Sequence, residues 1–155
     1  MAVVAAAELV LDVARGTLYV DAGAPTAALP TPPRMAAHDD QSIVLACAGD
    51  VMYATVGIES HDQAPAPLAD PWITALEKVV MNLPSGDLLL ENLDGGEVRY
   101  PDLGITAGRW NVDVHVAGRE KALALQDQMD AEFERGNLDL LPGLGPERWL
   151  VRFWR

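Results

Sequence analysis

Glycine and proline punctuate this chain so often, 13 and 11 times, that mostly short extended stretches fit between them. Those stretches alternate with a period of two. Glu8-Leu9-Val10-Leu11-Asp12-Val13 puts Leu9, Leu11 and Val13 on one face, as in a half-buried strand. Arg15-Gly16 then reads as a turn, with Thr17-Leu18-Tyr19-Val20 as the returning strand of an opening hairpin. Residues 22–40 hold Pro25, Pro30, Pro32 and Pro33 without any period, and read as a long surface loop.

Ser42 opens a continuous apolar run ending at Ala48, the pattern of a strand covered on both faces. Gly49-Asp50 is a tight-turn signal, and residues 51–56 read as the hairpin partner. A second Pro/Ala loop follows over residues 59–71. Residues 71–83 admit two readings. Asp70-Pro71 imitates a helix start, with Ile73, Leu76 and Val80 on one helical face. The β-branched pair Val79-Val80, running into Pro84-Ser85-Gly86, favours a strand from about Glu77 that turns back into Asp87-Leu88-Leu89-Leu90-Glu91.

Asp94-Gly95-Gly96 is another turn, followed by a short strand at Glu97-Val98-Arg99-Tyr100. The clearest strand is Trp110-Asn111-Val112-Asp113-Val114-His115-Val116, with Trp110 and the three valines inward and Asn111, Asp113 and His115 outward. Residues 119–135 break the rhythm. Ala122, Leu125, Met129 and Phe133 form the stripe of an amphipathic helix that ends at Gly136. After a Gly/Pro loop over residues 138–146, Trp149, Val151 and Phe153 alternate with Leu150, Arg152 and Trp154 in a final strand. The pattern predicts a mainly β protein, a two-layer antiparallel sandwich or barrel with one helix at about 119–135 before the last strand. At 155 residues it reads as one domain, 1–155.

Charge narrows the function. The formal net charge is −12, distributed as −7 over residues 1–70, −4 over 71–118 and −1 over 119–155. Nucleic acid and anionic membrane surfaces both require basic footprints, so neither is expected as a partner. A basic protein is. No apolar run reaches the length of a membrane span. Residues 1–7 lack the positive leader of a secretory signal, so the expected compartment is the cytoplasm.

Catalytic signatures are sparse. Ser42, Ser60 and Ser85 lack the Gly-x-Ser-x-Gly elbow. Cys47 lies in an apolar run, as a buried small hydrophobe does. Glu91 and Asp113 are two among 23 acids, and nothing in their spacing marks an acid/base pair. No cofactor is expected, since the glycine-rich stretches precede no phosphate-binding helix. Asp39, Asp40, Asp62 and Asp113 are the expected anionic, partner-binding residues. The rival reading is a small metal-dependent or ligand-binding enzyme, with His38 and His61 beside loop carboxylates as the ligands.

The order of strands and turns resembles the competence protein J family of small bacterial β-sandwich proteins. The resemblance runs through the opening strand unit at residues 8–20, residues 79–83 leading into 86–91, Ile105-Thr106-Ala107-Gly108-Arg109-Trp110-Asn111-Val112 before the penultimate strand, and the closing strand 149–154. The chain departs from the family in its helix and following loop, and in the Pro-rich loop after Val20. The resemblance implies inhibition of a DNA-entry nuclease by direct protein binding. Taken with the acidity and the sparse catalytic signatures, the expected function is a non-enzymatic protein-binding module, an acidic inhibitor or immunity-like partner of a basic nuclease or toxin. It supplies no site motif.

Overall fold

The computed structural model describes all residues except 1–2, 14–15, 50–52, 95–96, 101–102 and 138–143. Among the described residues, ten strands form two five-stranded sheets. The first sheet has the order β1 (Val3–Asp12), β5 (Tyr53–His61), β10 (Leu144–Trp154), β9 (Gly108–Ala117), β6 (Ile73–Leu83). The second has the order β3 (Ala36–His38), β4 (Ser42–Ala46), β2 (Thr17–Asp21), β7 (Leu88–Asn92), β8 (Glu97–Tyr100). Neither sheet closes on itself among the described residues, so the architecture is a sandwich and the barrel alternative falls away. All described pairings are antiparallel except β5 with β10.

The core follows from the period of two. Trp149, Val151 and Phe153 of β10 meet Val112 and Val114 of β9, Val56 and Ile58 of β5, and Leu18, Ile43, Leu45, Leu88 and Leu90 from the second sheet. Complete burial of Trp149 and Phe153 places the largest apolar gain in the last strand, each such side chain contributing roughly 3 kcal/mol.

Three expected hairpins are absent. β1 and β2, β4 and β5, and β6 and β7 each divide between the two sheets, and residues 84–87 carry β6 across to β7 as an arch. Gly- and Pro-rich turns reverse the chain equally well within a sheet and between sheets. The segment 71–83 is a strand, longer than expected from Ile73, with register shifts between Thr74 and Val79. The loop after β2 contains the short strand β3.

The helix α1 spans Arg119–Glu134 and packs on β10. Ala122 and Met129 are buried with Leu125 against Ala48, whereas Phe133, at 39% exposure, lies beyond the end of that contact. Gly118 starts the helix in the left-handed region at φ 77°, and a Cβ there would stand 2.0 Å from the carbonyl oxygen of Pro146. The reversal from β9 into α1 therefore requires glycine on two counts.

Candidate partner-binding surface

Strand register determines which loops share an end of the sandwich. Asp21 at the end of β2 lies opposite Ser42 and Leu89, at the starts of β4 and β7. Leu83 at the end of β6 faces Gly108 at the start of β9, and His61 faces Trp154 at the end of β10. The Asn82 N–H donates to the Asp40 carbonyl at 3.0 Å, joining the sheets at this point. One end thus gathers the β3–β4 turn, the chain leaving β5 and the β6–β7 arch. Asp40, Asp62 and Asp87 are all exposed there. The opposite end carries α1.

Asp39 sits in the same turn but is occupied in holding it. Its Oδ1 accepts from the Gln41 N–H at 2.9 Å, the Ser42 N–H at 2.8 Å and the Ser42 hydroxyl at 3.1 Å. Its Oδ2 accepts from the Thr26 hydroxyl, pinning the loop after β2. Desolvation pushes this carboxyl up, but the hydrogen bonds outweigh it and the pKa is lowered.

Asp113 departs from expectation. It does point away from the core, yet it is only 9% exposed. Arg152 on the neighbouring strand holds it through Nε–Oδ1 at 2.8 Å and Nη2–Oδ2 at 2.6 Å, and Arg152 Nη1 donates to the Ala66 carbonyl at 2.8 Å. The chain between β5 and β6 is thereby drawn over this face. His115 completes the group, its Nε2 3.2 Å from Asp113 Oδ2 and its Nδ1 3.4 Å from the Thr74 hydroxyl. Desolvation raises the Asp113 pKa, and the His115 and Arg152 contacts more than reverse that, leaving it lowered.

The two histidines of the metal reading lie in different sheets. His38 is exposed at the end of β3, with Nδ1 3.3 Å from the Asp39 carbonyl. His61 is buried at the end of β5, its Nε2 2.8 Å from Glu59 Oε2. No group of three His, Cys, Asp or Glu side chains among the described residues is placed to hold a metal ion. Glu91 and Asp113 also stand on separate sheets.

Candidate nucleophiles are engaged elsewhere. The Ser42 oxygen accepts from the Ala27 N–H at 2.7 Å, and the Ser60 hydroxyl donates to the Leu103 carbonyl. Burial, reinforced by the charge of Glu147, pushes the Cys47 thiol well above its ordinary range, the opposite of nucleophilic activation. Glu147 is itself buried. It accepts from the Ala48 N–H at 2.9 Å and the Trp149 indole at 2.6 Å, with Arg119 Nη1 at 3.6 Å. Desolvation raises its pKa despite these contacts.

A separate hollow of about 280 Å³ on the outer face of the first sheet is lined by Glu8, Glu59, Trp72 and Arg148. The Arg148 guanidinium stands 5.4 Å from the Trp72 ring centroid. Sequence reasoning did not single out this hollow, nor Asp87 and the Arg152 pair. Asp87 follows the Pro84-Ser85-Gly86 turn directly, and that was its one legible signal.

No protein-family model matches the chain, and no curated protein matches it in sequence. Two solved structures share its fold. ComJ from Bacillus subtilis, described as an inhibitor of the DNA degrading activity of NucA, superposes with a TM-score of 0.57 at 8% identity, over 96% of this chain and 94% of that one. The protein of crocagin biosynthetic gene J superposes with a TM-score of 0.56 at 20% identity, over 97% and 96%. The chain has a ComJ-like fold.

Proposed function

We propose that this protein is a binding module without catalytic activity, acting as an inhibitor or immunity-like partner of a basic nuclease or toxin. The observation that carries the reading is the full-length likeness to ComJ, itself an inhibitor of a nuclease's DNA degrading activity. The gathering of exposed Asp40, Asp62 and Asp87 at one end of a chain with net charge −12 supports it. A nuclease surface that holds DNA is basic, so an acidic end can occupy it by charge complementarity and steer the encounter. In this reading Asp40 and Asp62 meet the partner. Asp39 and Asp113 serve them indirectly, by shaping the turn and by tying down the chain that follows Asp62. Capture of lysate proteins on the immobilised protein, at low and at high salt, tests the proposal. A basic protein retained at low salt and released at high salt is the expected result; no basic protein, or salt-indifferent retention, refutes it.

A further inference from the structure

Asp21 is the least expected residue at the acidic end. It is 1% exposed, and its Oδ2 has no hydrogen-bond partner among the described residues. Its Oδ1 accepts only a 3.2 Å bond from the Gly23 N–H. A buried carboxylate oxygen without a donor costs several times what an ordinary hydrogen bond returns, and such atoms are rare in folded proteins.

The surroundings make the isolation sharper. Asp21 lies directly opposite Leu89 in the β2–β7 ladder, and Tyr19 opposite Glu91. Glu91 is therefore a diagonal neighbour of Asp21 on the same face, roughly 7–8 Å away by strand geometry, and Asp87 lies just before β7, on the other side of Leu89. Together with Gly23, Pro25 and Ser85, the three acids line a hollow of about 390 Å³. Asp87 forms its exposed rim. Asp21 and Asp87 repel as like charges, and no described cation lines the hollow.

We propose that this hollow receives the guanidinium of an arginine side chain on the partner protein, with Asp21 as the deep acceptor and Asp87 at the rim. The inference rests on the protein-binding reading above and adds the chemistry of the contact. Arginine fits better than the alternatives. A planar fork of five donors spans carboxylates that stand apart, whereas a small divalent ion needs them to converge. The three acids form no metal-holding group. An ammonium fills the hollow as a point charge and cannot offer two parallel bonds.

The test is an amide NMR titration of the intact protein with a short peptide containing one arginine, a matched lysine peptide, Mg²⁺ and Ca²⁺. The arginine peptide is expected to shift the Gly23 and Leu89 amides saturably and more tightly than the lysine peptide. Asp21→Asn keeps the bond from Gly23 and should weaken that binding about tenfold. Asp87→Asn, at the exposed rim, should weaken it about threefold and serves if the first variant folds poorly. Absence of saturable shifts, unchanged affinity in both variants, or the same shifts produced by the metal ions instead would overturn the proposal. Capture of a basic protein undiminished by Asp21→Asn sinks the pocket but leaves the protein-binding reading standing. Peptide shifts without any captured basic protein sink that reading, and the partner assignment with it.

Discussion

Arg152 grips Asp113 through two parallel hydrogen bonds, of 2.8 and 2.6 Å, across the β9–β10 ladder. Both side chains are buried under the chain that leads from β5 to β6, and Arg152 reaches that chain at Ala66. Removing one partner strands the other's charge in a poorly hydrated place. Asp113→Asn is expected to cost about 3–5 kcal/mol, read as a lower urea midpoint. The double change Asp113→Leu with Arg152→Met removes both charges and should cost less than the single one. Equal stability of Asp113→Asn and wild type would refute the assignment.

Stability should depend on acidity in two separable ways. The Asp113 pKa is depressed below 3.8 in the folded protein, so the unfolded chain binds the proton more readily. That contribution is present above about pH 4 and disappears as pH falls through the folded value. Asp113→Asn should therefore show a shallower acid loss than wild type. Glu147 has the opposite sign, since burial raises its pKa above 4.5. Its ionisation weakens the fold as pH rises just beyond that value, and Glu147→Gln should flatten this decline. Thermal unfolding between about pH 3 and pH 7 checks both slopes.

Two glycines separate backbone strain from collision. Gly118 and Gly136 share left-handed φ values of 77° and 81°, but a Cβ at Gly118 meets the Pro146 carbonyl at 2.0 Å while one at Gly136 meets nothing within 4 Å. Gly136→Ala should cost about 1 kcal/mol. Gly118→Ala should cost at least about 2 kcal/mol, because β10 must shift as well. Calorimetric melting points of the two variants give the comparison, and equal losses would contradict it.

Strands were easier to read in this sequence than their partners. Trp110, Val112, Val114 and Val116 declare β9 through alternation alone, and all four are buried. Val20 and Ile43 declare strands equally well, but nothing local says that β2 pairs with β4 and β7 instead of β1. Two-residue periodicity reports which face is apolar, and pairing is decided by sheet-to-sheet packing that no short window contains. The site was legible in the same partial way. Asp40 and Asp62 are exposed as their loop positions imply. Asp113 obeys the alternation and still escapes the reading, since outward from one sheet is not outward to water once a loop crosses above it. Asp21 had no signal at all, because the residues it shares the hollow with come from the loop after β2 and from the distant segment that leads into β7.

The most direct test of the acidic end compares lysate capture by wild type and by the variant Asp40→Asn, Asp62→Asn, Asp87→Asn, at about 50 mM and about 500 mM salt. These side chains are exposed, so the variant should fold with wild-type stability, which its melting curve verifies. Wild type is predicted to retain a basic protein at low salt and to lose most of it at high salt, with the variant retaining several-fold less at low salt. Equal capture by the two proteins, or a partner that is indifferent to salt, would contradict the account.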